Sequence, residues 1–347
     1  MILVLNCGSQ SIKWKIFSPK FKVLKEGRRE VLNSADLEKA LEEEISKLKD
    51  FEITLIGHRV VHGGQKFKEP TKLTADTVAE LESLSNLAPL HNPYNILGIK
   101  TCARFFDTVP QFAVFDTEFF ANLPEKAYTY ALSENINADF GFRKYGFQGT
   151  SHQFVAKKAC LMAKRQFNKS KIITCHLGGG ASITAIKNGK AIDTSMGFTP
   201  LDGLVMMTRS GAIDPGIVLA LAEKLGAEKT KEILNKKSGL KGISGANNML
   251  EVLGMLKSAP PAGGEKAKLA FDIFVYSIQK YIGSYYAILG GCDLLVFTGA
   301  IGAGDPKTRD SVCKNLDILK KPASRQGGTK ILAIETDEEL AIAEKII

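Results

Sequence analysis

Two apolar segments, each followed by a turn of small residues and a second apolar segment, lie about half a chain apart. The first is ILVLNCGSQSIKWKIF, residues 2–17, and the second is KIITCHLGGGASITAIKNGK, residues 171–190. Each pattern predicts a strand, a tight turn and a returning strand, and the backbone N–H groups of such a turn can converge on an anion. Two turns in this matching context indicate a duplicated fold that holds a polyphosphate from both sides.

The first half continues with alternating helical and strand patterns. It is predicted to contain helices near 34–48 and 75–86, a strand at 53–56, and a buried strand within 112–120 that ends in Asp116. The end of a buried strand is a common position for a catalytic carboxylate at a domain cleft. Asp116 is therefore a candidate catalytic residue.

A turn followed by a helix is predicted at YGFQGTSH, residues 145–152. Thr150 or Ser151 can cap this helix, because a hydroxyl at the cap accepts a free backbone N–H of the first turn. The helix is expected to run to about Gln166.

The second half repeats the plan of the first. After its strand pair, helices are predicted around 216–225 and 228–235, a long buried helix over 265–289, and a buried strand opening into glycines at 294–302. The same order of hairpin, strand, helix, strand and helix in both halves predicts an α/β fold with mixed sheets and an interdomain cleft.

The composition is that of an ordinary globular protein. With 347 residues, 44% hydrophobic and 24% charged, the chain has room for two domains with separate cores. No basic stretch precedes the first strand, so no signal peptide is expected. The longest weakly charged run, 285–304, contains Asp293 and five glycines, which argues against a membrane span.

Cysteine usage and charge narrow the functional classes. The six cysteines form no CxxC pair and no metal-ligand spacing, which favours a reduced cytoplasm. The net charge is +9, but the lysines are dispersed with few aromatic residues between them. A solvated basic surface that attracts anionic substrates is the favoured interpretation, and a nucleic-acid-binding role rests only on the pI near 9.1.

Ten segments in order along nearly the whole chain resemble the acetate kinase family, the acetate/propionate/butyrate kinase branch of the actin–Hsp70–hexokinase fold. They are NCGSQSIK, GHRVVHGG, LAPLHNP, VFDTEF, YGFQGTSH, CHLGGGASI, TSMGFTPLDGL, TRSGAIDPG, NKKSGLKGISG and TDEELAIA. The resemblance implies two duplicated actin/hexokinase-like (ribonuclease H-like) domains. Their expected bounds are 1–148 plus 337–347 for the carboxylate site, and 149–336 for the nucleotide site.

The resemblance implies that Arg59 and Arg209 supply positive charge to the transferring phosphoryl group, a reaction that depends on alignment and charge. A guanidinium also binds a carboxylate in bidentate geometry. Asp116 matches the family residue with an acid–base or substrate-orienting role. The alternatives are surface arginines in ion pairs and an aspartate that caps a helix.

Gln148 departs from the family pattern, which usually has histidine within GFxGTSH. That histidine is thought to stabilise the transition state. Glutamine keeps an N–H donor but cannot become cationic. We therefore expect Gln148 to be a weakened catalytic residue in a slowed or re-tuned enzyme.

The resemblance also implies a small apolar pocket for the alkyl end of the carboxylate substrate, next to Arg59. The matching positions are Val61, Leu90, Phe147 and Pro200, with His91 as a neighbouring cleft residue. Such a pocket separates homologues by roughly 1–3 kcal/mol per methylene, so acetate should be preferred modestly over propionate or butyrate.

Phosphates are expected at the two small-residue turns. The residues assigned to them by the resemblance are Ser9, Ser11 and Lys13 in the first turn and His176, Leu177, Gly178, Gly179 and Gly180 in the second. His176 matches a residue that contacts the transferring phosphate, with a core role as the alternative.

The nucleotide side departs from the family pattern in two segments. Asn248, Met249 and Leu250 align with an Asp-aromatic/Met-Arg stretch, so the adenosine-contacting arginine is absent. A tight apolar turn is expected where the family usually has GIGEN, at Ala300, Ile301, Gly302, Ala303 and Gly304. A phosphoryl donor other than ATP, including pyrophosphate, therefore stays open.

Asn6 and Glu338 match the positions associated with Mg²⁺ (or Mn²⁺), whose preference for oxygen ligands suits an amide carbonyl and a carboxylate. The alternative for Glu338 is structural, because TDEEL can form a capping box that opens the last helix.

The resemblance implies a Mg²⁺-dependent acetate kinase that interconverts acetate and ATP with acetyl phosphate and ADP. The expected protein is a cytoplasmic homodimer without nucleic-acid or membrane partners. The alternatives are the same chemistry with propionate, butyrate or another donor, and a degenerate nucleotide-binding homologue without turnover.

Overall fold

The computed structural model describes residues 1–257, 264–320 and 328–347. Its strands are β1 (Ile2–Cys7), β2 (Ser11–Phe17), β3 (Val23–Glu30), β4 (Leu55–Val60), β5 (Thr71–Lys72), β6 (Gln111–Phe115), β7 (Lys171–Leu177), β8 (Ala181–Lys187), β9 (Lys190–Thr194), β10 (Leu294–Thr298) and β11 (Lys330–Ala333).

Helices alternate with these strands. They are α1 (Leu37–Ser46), α2 (Ala75–Ser83), α3 (Asn92–Phe105), α4 (Glu125–Tyr128), α5 (Glu134–Phe140), α6 (Gly149–Met162), α7 (Pro215–Leu225), α8 (Ala227–Lys236), α9 (Gly239–Ser244), α10 (Met249–Met255), α11 (Gly264–Leu289), α12 (Gly299–Gly304), α13 (Pro306–Cys313) and α14 (Glu338–Lys345). In the described part of the chain, none of them combines the length and apolar character that a bilayer crossing needs.

The chain divides into two compact units. Unit 1 comprises Met1–Ala121, Phe147–Phe154 and Asp337–Ile347, and unit 2 comprises Asn122–Gly146 and the described part of Val155–Thr336. The expected domain bounds, 1–148 plus 337–347 and 149–336, stay a prediction.

Each unit contains one mixed sheet with the same plan. The strand order is β3-β2-β1-β4-β6-β5 in unit 1 and β11-β10-β7-β8-β9 in unit 2. In both sheets the first strand pairs antiparallel with the next strand along the chain on one side and parallel with a later strand on the other. This arrangement confirms the predicted α/β fold with two mixed sheets.

Strand β1 is buried on both faces, which explains its continuous apolar sequence. On one face, Leu3 and Leu5 pack in a core with α1. On the other, Ile2 and Val4 pack against Ile342 in α14. This packing fixes the helix that carries Glu338 against the middle of the unit 1 sheet.

Gly57 in β4 allows α14 to lie this close to the sheet. A Cβ at this position would be 2.7 Å from Cγ2 of Ile342 and 2.9 Å from Cδ1 of Ile346. A larger residue here would displace the helix, because these contacts are shorter than van der Waals distance.

Several elements differ from the sequence-based predictions. The strand expected at 53–56 spans Leu55–Val60. The glycine-rich segment after β10, expected to be a turn, forms helix α12. Strand β3 was not predicted, because most of its side chains are exposed and their polarity does not alternate.

The predicted cap of α6 was wrong. The helix begins at Gly149 and ends at Met162, so Thr150 and Ser151 lie inside its first turn. The backbone of Gln148 has a left-handed φ of 60° and makes the turn into the helix.

Candidate active site

Three polar side chains meet where neighbouring parallel strands of unit 1 end. Asn6 lies near the end of β1, Arg59 near the end of β4, and Asp116 directly after β6. Since β4 lies between β1 and β6, Arg59 is flanked by the other two residues. The carboxyl ends of parallel strands are the usual position of sites in α/β proteins.

Arg59 and Asp116 form a bidentate ion pair. The Nη2 atom of Arg59 lies 2.6 Å from Oδ2 of Asp116, and its Nε atom donates to Oδ1 at 3.0 Å. The third nitrogen, Nη1, donates to Oδ1 of Asn6 at 3.3 Å. The guanidinium is therefore held in one orientation by two neighbouring strands.

Glu338, the first residue of α14, adds a second carboxylate to this group. Its Oε2 atom lies 3.8 Å from Nε of Arg59. Burial raises the pKa of the Glu338 carboxyl, Arg59 opposes this change, and the charge of Asp116 adds to it. Burial disfavours the charge on Arg59, but Asp116 and Glu338 outweigh it and raise the pKa of its guanidinium.

Gln148 is linked to Asp116 through the backbone. The amide of the next residue, Gly149, donates to the carbonyl of Asp116 at 2.9 Å. A Cβ on Gly149 would be 2.5 Å from the same carbonyl oxygen, so only glycine allows this approach. The backbone that carries the half-buried Gln148 is therefore bonded to the end of β6.

The residues expected to form the alkyl pocket differ in exposure. Val61 and Phe147 are buried in unit 1, and the Phe147 ring meets the His62 ring edge-on at 5.5 Å. Leu90 is 40% exposed, and His91 is half-buried at the start of α3. Pro200 lies in unit 2.

Two buried asparagines of α3, which were not predicted from the sequence, support this part of unit 1. Oδ1 of Asn95 accepts the Val61 amide at 3.0 Å, and its Nδ2 donates to the carbonyl of Cys7 at 2.7 Å. Oδ1 of Asn92 accepts the His62 amide at 3.1 Å. Two asparagines three positions apart on a helix, where apolar residues are expected, are the signal that could have identified them.

The first small-residue turn closes the β1–β2 hairpin. The Gly8 amide donates to the carbonyl of Ser11 at 2.8 Å, and Ser9 and Ser11 are half-buried. Lys13 pairs in register with Asn6, and its charge acts on the Glu338 carboxyl. Lys13 thus belongs to the same group as Asn6 and Glu338.

The second turn lies in unit 2, between β7 and β8. The Gly178 amide donates to the carbonyl of Gly180 at 3.1 Å, and the position of Gly179 is open. His176 is 8% exposed, and Leu177 is fully buried. Leu177 is therefore a core residue beside the turn.

Arg209 is a cation without a carboxylate partner among the described residues. Its Nη1 atom donates to the carbonyl of Pro200 at 3.2 Å and lies 3.7 Å from the sulfur of Met206. Burial lowers the pKa of its guanidinium. Such a group favours an anionic ligand, because burying a charge without a partner is costly.

Arg209 lines a cavity of about 640 Å³ in unit 2. The predicted residues that share this cavity are Gly178, Gly179, Gly180, Arg209, Asn248, Met249, Leu250, Ala300, Ile301 and Gly304. His176, Gly302 and Ala303 are outside this lining, and the carbonyls of the last two accept hydrogen bonds from Arg309.

The amide of Asn248 is used by the protein itself. Its Oδ1 atom accepts the Glu251 amide at 2.9 Å and caps α10, and its Nδ2 atom donates to Oε1 of Glu251 at 2.7 Å. Leu250 is 80% exposed, and Met249 is buried. The wall of the cavity at α10 is therefore mainly apolar.

Residues 23–344 match the model of the acetokinase family. The acetate kinase of Carboxydothermus hydrogenoformans is 41% identical, with 100% of this chain and 98% of that protein aligned.

Two crystal structures are similar over nearly their whole length. The Porphyromonas gingivalis acetate kinase matches with a TM-score of 0.89 at 38% identity, covering 99% of this chain and 98% of that one. A propionate kinase from Francisella tularensis subsp. tularensis SCHU S4 matches with a TM-score of 0.88 at 37% identity, with the same coverage.

Proposed function

The chain belongs to the acetokinase family and is a phosphotransferase with a carboxyl group as acceptor, and we propose that it interconverts ATP and acetate with ADP and acetyl phosphate. The observation that carries this proposal is the unit 2 cavity, in which Arg209 lies beside the Gly178–Gly180 turn. A cation that has no acidic partner among the described residues and a glycine turn are suited to phosphate groups.

The size of the cavity favours a nucleotide over pyrophosphate as donor. A volume of about 640 Å³ with a largely apolar wall at α10 and α12 suits a nucleoside. Pyrophosphate would leave this apolar wall uncovered.

We assign two roles to Arg59: it binds the carboxylate of the acceptor and stabilises the negative charge of the transferring phosphoryl group. Its bidentate pair with Asp116 holds the guanidinium in place before substrate arrives, which avoids reorganisation during the reaction. The buried Val61 and Phe147 supply apolar surface for the methyl group. Because an apolar pocket separates acids of different chain length by only roughly 1–3 kcal/mol per methylene, propionate remains a substrate to test.

Asn6 and Glu338 of unit 1 are suited to a divalent cation, because each carries a side-chain oxygen. Both place an oxygen near Arg59, at 3.3 and 3.8 Å from its nitrogens. The described residues contain no group of three or more His, Cys, Asp or Glu side chains that could hold a metal. Mg²⁺ usually takes one or two protein ligands and completes its shell with water and phosphate, so this sparse donor set suits it. Mg²⁺, or Mn²⁺ in its place, would neutralise phosphate charge when bound.

Formation of acetyl phosphate tests the proposal. Purified protein is incubated with Mg²⁺, a donor (ATP, GTP or pyrophosphate) and an acid (acetate, propionate or butyrate), and acyl phosphate is trapped as the hydroxamate. We expect turnover with ATP and acetate. Nucleotide binding without acyl phosphate from any pair would instead identify a degenerate binding homologue.

Replacing Gln148 with histidine should raise turnover about tenfold, since a full transition-state donor is typically worth about 10²–10³ in rate and glutamine already supplies part of it. The Q148H variant should show a larger kcat with little change in KM. Its Gln148→Ala counterpart should be slower than the natural protein. An unchanged kcat in Q148H, with ADP binding intact, contradicts this role.

We also propose that the protein is a homodimer in which α7 contacts a second copy. No residue of this apolar helix is buried, and Ile217 and Leu219 are 49% and 64% exposed. An apolar helix normally covers its hydrophobic face against another element. The six cysteines form no disulfide bonds, which supports the cytoplasm as the compartment of the protein.

Leu219→Glu should convert the dimer to a monomer in light-scattering measurements, because it places a charge in the proposed interface. Leu32→Glu is the matched control, since Leu32 is a 97% exposed leucine in unit 1. A monomeric natural protein, or equal dissociation of both variants, contradicts the proposed interface.

A further inference from the structure

Lys15 of β2 contacts the start of the helix that carries Glu338. Its Nζ atom donates to Oδ2 of Asp337 at 2.9 Å. The same atom lies 3.9 Å from Oε2 of Glu339 and 3.9 Å from Oε2 of Glu26. The Lys15 side chain is only 20% exposed, so this contact is largely shielded from water.

Asp337 connects Lys15 to the helix backbone. Its Oδ1 atom accepts the Leu340 amide at 3.0 Å and caps α14, while its Oδ2 atom accepts from Lys15. One carboxylate therefore joins strand β2 to the first turn of α14. Glu338 is the next residue, so its backbone position depends on this junction.

The start of α14 concentrates negative charge that needs such a contact. Asp337, Glu338 and Glu339 are consecutive acidic residues. Lys15 contacts the two outer acids, and Arg59 lies near the middle one. Without Lys15, repulsion among the three carboxylates would favour moving the helix start away from the sheet.

We propose that Lys15 is a positioning residue that holds Glu338 in place for the divalent cation. This inference rests on the proposed function, since it takes Glu338 as a metal ligand. Residues that hold a ligand side chain typically change metal affinity about 10–100-fold when they are removed.

The other end of α14 provides a matched control. The Nζ atom of Lys345 lies 2.7 Å from Oε1 of Glu118, and the Lys345 side chain is 14% exposed. Lys345→Met removes a comparably buried anchor from the opposite end of the same helix, seven positions after Glu338. It reports the effect of loosening α14 without disturbing its first turn.

The test measures Mn²⁺ binding by electron paramagnetic resonance with saturating ADP, and KM for Mg²⁺ in the acetyl phosphate assay. Lys15→Met should raise the Kd for Mn²⁺ about tenfold. Lys15→Arg, which keeps the charge, should recover most of the affinity, and Lys345→Met should change it less than about twofold. Folding of each variant is checked by the fluorescence of Trp14, which is the single tryptophan.

If Lys15→Met does not fold, Asp337→Asn replaces it, because asparagine keeps the helix cap and loses only the ion pair. Equal Kd values for the natural protein and Lys15→Met, or equal losses in Lys15→Met and Lys345→Met, overturn the role of Lys15 and leave the proposed function intact. A natural protein that forms acetyl phosphate but binds no Mn²⁺ with ADP overturns the metal role of Glu338 and, with it, this inference.

Discussion

Replacing Arg59 with alanine is expected to lower kcat by about 10³-fold or more, the range found when an arginine that stabilises phosphoryl transfer is removed. Arg59 is the cation shared by Asn6, Asp116 and Glu338, so alanine removes the charge on which their arrangement depends. Lysine should restore only part of the activity, since it cannot form the bidentate pair with Asp116.

The same variant should also lose stability, because alanine leaves the 2% exposed Asp116 without its partner. Breaking a buried ion pair by removing one member costs about 3–5 kcal/mol, and the partial exposure of Arg59 places the expected loss near the lower end. The double variant R59A/D116N removes the unpaired charge as well. It should recover stability but no turnover, which separates folding from chemistry.

Steady-state kinetics and chemical unfolding check both expectations. A kcat for R59A within tenfold of the natural protein would contradict the assigned role of Arg59. A double variant that regained turnover together with stability would show that the loss in R59A came from misfolding.

Replacing Arg209 with alanine should lower kcat about 10²–10³-fold with little loss of stability. Among the described residues, the guanidinium of Arg209 bonds to a backbone carbonyl and approaches a sulfur, and burial lowers its pKa. Removing a half-buried cation that has no acidic partner in the described part of the chain should change the free energy of unfolding by less than about 1 kcal/mol. A strong effect on turnover with a small effect on stability is the signature of a group that binds substrate.

Arg209 and Arg59 are expected to differ in their effect on stability. R209A and R59A should both be slow, but only R59A should unfold at lower denaturant concentration. The measurement is kcat together with the unfolding midpoint by circular dichroism. A destabilisation of R209A as large as that of R59A would contradict a ligand-binding role and indicate a structural one.

Regular elements with a strong apolar pattern could be predicted from the sequence. The hairpin β1–β2 and the long helix α11 lie where the pattern placed them, because burial against a core determines both. Strand β3 could not be predicted, since its charged residues cover an exposed edge and carry no alternation.

Other errors arose from hydrogen bonds to backbone groups that the apolar pattern does not indicate. The segment 299–304 forms a helix despite its glycines, and its carbonyls at Gly302 and Ala303 accept hydrogen bonds from Arg309. The cap of α6 depends on the bond between Gly149 and Asp116, which are 33 positions apart in sequence. Residue propensities and the apolar pattern do not identify which backbone carbonyl accepts a given donor, so neither of these hydrogen bonds could be predicted from the sequence.

The candidate site could likewise be predicted only in part. The resemblance supplied Asn6, Arg59, Asp116 and Glu338, and the structure of unit 1 brings these four together. Their individual roles stay predictions. Neither the pattern nor the resemblance indicated Lys15, whose importance depends on its bond to an aspartate 322 positions away.

The most direct test of the central claim is ³¹P nuclear magnetic resonance of purified protein mixed with acetate, ATP and Mg²⁺. We expect acetyl phosphate and ADP to appear in equal amounts, and added ADP and acetyl phosphate to form ATP and acetate. R59A and R209A should show neither reaction on the same timescale. ATP that remains unchanged beside folded natural protein, or that yields only inorganic phosphate, would contradict this claim.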